Sequence, residues 1–312
     1  MHPTQFSSGD VIADRRADYA RMLAENGEHE AAVELMEQAL ELVPDWPAGL
    51  LRLADYAEKA EQAEKAIPAL RRLLVLDPED LFGAQLKLAL LGAEDIPDQP
   101  PSRYVEALFD DYADRFDTAL VEKLDYSVPA KLARLIVEHS DRRFDLAVDL
   151  GCGTGLFGAE IRDRVSRLEG FDLSANMLAK AEEKGLYDFL AKADLSLEAT
   201  ESGLFDDGLA ENRADLVSAA DVLMYLGDLS NAFALAAQLL KPGSLFAFSI
   251  EDAGEGDGFI LAPSLRYAHT EQHVIQRLDE NGFDLVKLLH TTIRMDGGKP
   301  VSGILFLASR KA

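Results

Sequence analysis

Leu146-Ala147-Val148-Asp149-Leu150-Gly151-Cys152-Gly153-Thr154-Gly155 runs from an apolar segment into a loop with glycine at every second position. The apolar run predicts a buried strand. The glycines predict a sharp turn with no Cβ atoms to obstruct a bulky ligand, and a helix follows from about Leu156. From Phe144 onward, short apolar runs alternate with amphipathic segments, which predicts a mainly parallel sheet with helices on both faces. Gly153, Gly155 and Gly158 also satisfy the spaced pattern of dinucleotide-binding folds, so the glycines alone leave a nicotinamide ligand open.

Three acidic residues narrow the choice. Asp149 sits inside the strand just before the first glycine, where a carboxylate faces a cationic ligand group. Asp172, in Glu169-Gly170-Phe171-Asp172-Leu173-Ser174, ends the next apolar strand and can accept from both hydroxyls of a ribose. Asp194, in Ala191-Lys192-Ala193-Asp194-Leu195, follows a third short strand, where it can accept from an adenine amino group. A cation, a ribose and an adenine together describe S-adenosylmethionine. Downstream, Asp215-Leu216-Val217-Ser218-Ala219-Ala220-Asp221-Val222-Leu223 reads as a fourth strand. Leu240-Lys241-Pro242-Gly243 precedes a fifth over 244–250, and apolar runs over 283–290 and 301–309 form a terminal hairpin.

This order of elements over 144–255 resembles class I S-adenosylmethionine-dependent methyltransferases. The resemblance implies a Rossmann-like seven-stranded α/β sheet with one reversed strand. It places the methionine part of the cofactor along Asp149, Gly151, Cys152, Gly153 and Gly155, the ribose at Asp172 beside Leu173, and the adenine at Met177, Asp194 and Leu195, with Ala220 near the sulfonium. The product would be S-adenosylhomocysteine, and no metal is expected.

The first hundred residues read differently. Ala20, Leu42 and Pro44 recur 34 positions later as Ala54, Leu76 and Pro78, and Ala32 and Met36 as Ala66 and Leu70. This resembles two tetratricopeptide repeats, about 13–46 and 47–80, followed by a single helix over 81–91. Alanines permit close helix approach, Gly27 permits a positive φ in the first hairpin, and the prolines stop the second helices. Trp46, between Pro44 and Pro47, is expected to pack at the repeat junction. Two and a half units bury little surface, so one face of the array is expected to pack on the downstream domain or on a second subunit. Three prolines within 96–101 mark a linker between an all-α domain over 1–95 and the methyltransferase domain over 102–312.

The whole chain also resembles bacterial tetratricopeptide-containing methyltransferases, in segments 104–117 and 266–270. By analogy the first is a lid with Tyr104 or Tyr112 near the methionine end. The second is the substrate side, with Arg266 and Tyr267 available to an acidic acceptor. His269 is the candidate general base, and Asp221 and Tyr225, after the fourth strand, are candidates for the acceptor pocket. Cys152, the one cysteine, has no histidine near it in sequence and reads as structural.

The 312 residues carry 56 acids against 31 bases, a net charge of −25, which disfavours nucleic acid and anionic membrane surfaces as partners. Residues 1–15 show no basic stretch followed by an apolar run, and a cytoplasmic location is expected. The expected function is methyl transfer to a small-molecule or protein acceptor. The alternative is a tetratricopeptide interaction module whose second domain binds the cofactor without turnover.

Overall fold

The computed structural model describes residues 7–117 and 126–312; the opening of the 1–15 stretch lies outside them. The chain divides into two compact units, 1–104 and 105–312. Among the described residues no helix is long and apolar enough to cross a membrane.

The first unit is built from helices α1 (Val11–Glu25), α2 (His29–Leu42), α3 (Pro47–Lys59), α4 (Ala63–Leu76) and α5 (Ala84–Leu90). Gly27 turns the first hairpin at φ 84°. Ala13, Ala17, Ala20, Ala32 and Ala39 are wholly buried, so small side chains set the helix spacing and Met36, Leu70 and Leu73 fill what remains. Trp46 is buried, and its ring lies so close to Gly49 that a Cβ there would overlap it. The last helix is shorter than the 81–91 expected. Asp80 accepts from the Ala84 and Gln85 amides at 2.6 and 2.9 Å, and Gly83 takes φ 68°, so the helix starts only after this turn.

The second unit opens with α6 (Ser102–Tyr112), which begins just before the division, and α7 (Val128–His139). A sheet follows, made of β1 (Phe144–Leu150), β2 (Val165–Asp172), β3 (Phe189–Lys192), β4 (Ala214–Ala219), β5 (Leu240–Asp252), β6 (Phe259–Leu261), β7 (Tyr267–His269), β8 (Phe283–Asp296) and β9 (Lys299–Arg310). Helices α8 (Leu156–Ile161), α9 (Ala175–Lys184), α10 (Ser230–Leu239) and α11 (Glu271–Glu280) connect them. Strands β3, β2, β1, β4 and β5 lie parallel in that order. Strand β9 runs antiparallel between β5 and β8, which gives the expected seven strands with one reversed.

Two short strands exceed that expectation. Strand β7 pairs with the last residues of β5, and β6 pairs with β7. Alternation along β5 feeds two cores: Phe246, Phe248 and Ile250 join the cluster under α10 and α11, whereas Leu245 and Ala247 join that under α7 and α8. The connections after β1 and β4 leave these adjacent strands toward opposite sides, since β2 neighbours β1 and β5 neighbours β4. Such a switch point opens a crevice beyond the strand ends.

Candidate active site

The crevice is floored by the glycine loop. Gly151, Gly153 and Gly155 all have positive φ, at 64°, 54° and 89°. A Cβ on Gly151 would overlap Val222, the third residue after β4. Above Gly153 a Cβ would meet only the Phe116 ring, at 4.0 Å. That open backbone lies where the sequence resemblance puts the methionine part of the cofactor.

Asp172 holds the cradle in place. Its Oδ2 accepts from the Gly153 amide at 2.8 Å and its Oδ1 from the Ser174 amide at 2.9 Å. A carboxylate has about four acceptor positions, so two remain for a ribose diol. Burial pushes its pKa up to about 6 against the lowering effect of these amides. Cys152 is buried, its amide donates to the Phe171 carbonyl, and its thiol is pushed up by burial, as suits a structural cysteine.

Asp149 is placed differently from the expectation of a carboxylate facing the ligand. Its oxygens accept from the Tyr187 hydroxyl at 2.7 Å and the Ser218 hydroxyl at 2.8 Å. Burial raises it to about 7. Tyr187 reaches it through a slot that only glycines leave open, since Cβ atoms on Gly155, Gly158 and Gly170 would all come within 3.0 Å of its ring or hydroxyl. Gly158, which matches a dinucleotide-type spacing, thus makes room for a tyrosine. Tyr187 carries no sequence signal beyond these three glycines, two of them distant along the chain.

Of the other residues expected around the cofactor, Met177 is wholly buried and Leu195 nearly so, while Leu173 and Ala220 are half-buried. Asp194 Oδ1 accepts from the Ser196 amide and hydroxyl at 2.9 and 2.6 Å, which makes it first a turn-former.

The segment expected to be a lid is fastened by four acids spaced along one side of residues 106–117. Glu106 pairs with Lys192 at the end of β3. Asp110 Oδ1 accepts from the Ser174 hydroxyl at 2.6 Å, and Asp114 pairs with Lys180 at 3.1 Å. Asp117 pairs with Lys184 at 2.6 Å and accepts from the Thr154 hydroxyl. Their spacing of four, four and three is a readable helix-face signal. The tyrosines expected here are not the rings over the loop. Tyr104 lies against Gly83, and Tyr112 stands edge-on to Phe116 at 5.5 Å. Phe116 faces Gly153, and Phe109 meets Tyr225 edge-on at 5.0 Å.

Beyond Val222 the wall is ionic. Asp221 has φ 61°, its amide donates to Ser249 Oγ at 2.8 Å, and both its carboxylate oxygens accept from Arg294 Nη1 at 3.0 and 3.1 Å. Arg294 also donates to Glu251. Glu251 accepts from Arg266 at 2.8 Å, and Arg266 donates to Asp296 at 2.6 Å. Burial raises Asp221 to about 6, with Arg294 opposing and Glu251 assisting. Tyr225 is raised to about 12 by burial, moderated by Arg266.

Three expectations for the acceptor side are corrected. His269 is wholly buried in β7 between β5 and β6, and its Nε2–H donates to the Leu226 carbonyl at 2.9 Å. Its Nδ1 is buried as well, and burial lowers its pKa to about 4, so the ring is packed away from the crevice as a structural residue. Tyr267 is likewise fully buried. Arg266 is committed to two carboxylates and is not available to an acidic acceptor.

Comparison with known proteins agrees with this geometry. The family model described as "Methyltransferase domain" matches residues 148–248, and that described as "Tetratricopeptide repeat" matches 13–56. A malonyl-[acyl-carrier protein] O-methyltransferase of Enterobacter lignolyticus is 31% identical over 123 residues, which cover 39% of this chain and 44% of that protein. The chain therefore spans less than half the length of this curated relative. Among solved structures, the 1,6-didemethyltoxoflavin-N1-methyltransferase of Burkholderia thailandensis, bound to S-adenosylhomocysteine, superposes with TM-score 0.53. Its identity is 18%, with 70% of this chain and 94% of that chain covered. The magnesium protoporphyrin IX methyltransferase of Synechocystis PCC 6803, also bound to S-adenosylhomocysteine, gives TM-score 0.51 at 19% identity, covering 67% and 99%. Both likenesses are of fold. The chain thus carries a tetratricopeptide-like segment followed by a sheet of the class I, Rossmann-like methyltransferase fold.

Proposed function

We propose that this protein transfers a methyl group from S-adenosylmethionine to an acceptor held against Asp221 and Tyr225. The observation that carries the reading is the Asp172-locked glycine loop, whose Gly153 backbone lies open beneath Phe116. When bound, the cofactor supplies an electrophilic methyl on a sulfonium that leaves as a neutral thioether. The chain's own work is to position and to exclude water. Asp172 presents free acceptor positions to the ribose, and Asp194 lies within the adenine region. The four lid acids hold Phe109 and Phe116 over the loop, and Tyr225 completes an aromatic wall next to Asp221. The tetratricopeptide helices serve docking or self-association, and the acceptor is a small molecule or a protein group. One buried cysteine and no disulfide suit a cytoplasmic setting.

Titration calorimetry of the full chain with S-adenosylhomocysteine tests this. Saturable binding is expected, weakened in Asp172→Ala by about 1.5–3 kcal/mol, the range for hydrogen bonds to a charged group. Absence of binding by the folded protein overturns the reading, and an unchanged affinity in Asp172→Ala overturns the ribose assignment.

A further inference from the structure

The wall beyond Val222 carries two arginines and three carboxylates in one chain: Asp221, Arg294, Glu251, Arg266, Asp296. Each arginine lies between two acids, and the chain has an acid at either end. With all five ionised the wall nets one negative charge. Its inner end, Asp221, adjoins Val222 on the glycine loop, and its outer end, Asp296, is half-exposed at 54%. Arg294 and Glu251 have side chains only 5% and 8% exposed, whereas Asp221 is 13% exposed, so of these three inner members Asp221 is the one that surfaces most.

Among the described residues of this wall an acceptor carboxylate finds no cation without a carboxylate partner. To reach Arg294 it must displace Asp221 or Glu251, leaving a buried carboxylate without its partner, a cost of several kcal/mol in comparable sites. A donor bearing N–H groups meets the opposite situation. Asp221 uses one acceptor position on each oxygen for Arg294 and retains others, and Tyr225, which senses the Asp221 charge and meets Phe109 edge-on at 5.0 Å, adds an aromatic ring whose face attracts a cation. The chain's net charge of −25 also steers cations toward it.

We propose that the acceptor is an amine, bound as its ammonium form through Asp221 and methylated at nitrogen. The proposal rests on the transfer reading above and names its substrate class. The ammonium gives up one proton, taken by the Asp221 carboxylate and passed to water. The freed lone pair forms the N–C bond while the C–S bond breaks with its electron pair left on sulfur, and the product leaves as a methylated ammonium. Arg294 is a positioning residue in this scheme, fixing the Asp221 carboxylate through both oxygens.

The test uses the full chain saturated with S-adenosylhomocysteine and two probes matched in shape and opposite in charge, phenethylamine and phenylacetate, observed by saturation-transfer NMR. Phenethylamine is expected to receive saturation and phenylacetate none, with amine affinity at least tenfold lower in Asp221→Asn. Equal or preferential binding of phenylacetate overturns the proposal, as does binding of neither probe. The comparison of probes on the unaltered protein stands even if the variant fails to fold. Calorimetric binding of S-adenosylhomocysteine in the same sample reports on the transfer reading separately, so that loss of the cofactor site is distinguished from a wrong acceptor class.

Discussion

Gly158→Ala sets two well-calibrated effects against each other. Gly158 lies in α8, where replacing glycine by alanine favours the helix by about 1 kcal/mol. The new Cβ, however, would stand 2.5 Å from the Tyr187 hydroxyl oxygen and 2.6 Å from Cζ. The ring also packs closely on the backbones of Gly170 and Gly155, where an added Cβ would lie only 2.7 and 3.0 Å from it, so it has little room to shift. Overpacking of this kind costs about 1–3 kcal/mol. Moving the hydroxyl also breaks its 2.7 Å bond to buried Asp149, at about 1.5–3 kcal/mol. Sterics outweigh propensity, and a net loss of about 2–4 kcal/mol follows. For a unit of this size that lowers the transition by roughly 5–12 °C. Differential scanning calorimetry of the full chain, with the methyltransferase transition recognised by its shift on adding S-adenosylhomocysteine, measures it. In a Tyr187→Leu background the same alanine should cost little, because the ring is gone. A transition that stays or rises in Gly158→Ala, or an equal loss in both backgrounds, refutes the slot argument.

Three further outcomes are expected. Asp149, Asp172 and Asp221 are raised by burial from 3.8 to about 7, 6 and 6, so between about pH 4 and 7 the folded chain binds more protons than the unfolded one. Their contribution is full below pH 4 and is lost as pH rises through 6 to 7. The urea midpoint should therefore fall across that window, with a shallower slope in Asp149→Asn. His269→Gln should lower stability by about 1 kcal/mol through its bond to Leu226, yet leave the pH dependence of turnover above pH 5 unmoved; loss of a limb near neutrality would restore it as a base. The partly exposed pairs Asp117–Lys184 and Glu106–Lys192 are each worth only about 0.2–1 kcal/mol. Lys184→Gln with Lys192→Gln should therefore speed amide exchange in residues 102–117 a few-fold without unfolding the sheet, and unchanged exchange would show that the aromatic contacts alone hold the lid.

What could be read from the chain alone was whatever depends on neighbours in sequence. The run Leu146 to Gly155 fixed a strand, a loop and a helix because each is decided within a few residues, and the 34-residue period did the same for α1 to α4. Strands β6 and β7 escaped because three residues each carry too little period to separate them from a loop. The site divides along the same line. Asp172 was placed at the end of its strand and Asp221 just past the end of its own, since residues at and just beyond a strand's C-terminal end lie in the crevice whatever the rest of the chain does. His269 was misjudged because its role depends on β7 being flanked by both β5 and β6, which removes either edge from water. The Asp221–Arg294 pair spans 73 positions, and Tyr187 needs glycines from two elements to reach Asp149. Neither relation exists until the sheet has formed. The lid acids are the exception, for Glu106, Asp110, Asp114 and Asp117 already mark one helix face in the sequence. An all-acidic face beside an aromatic one is easily taken for ordinary solvation, and only Lys180, Lys184 and Lys192 opposite show it to be a clasp. In a chain with 56 acids and 31 bases, the informative charges on the lid are therefore the lysines. They are the scarcer partner, and where each one stands decides which of many available acids becomes structural.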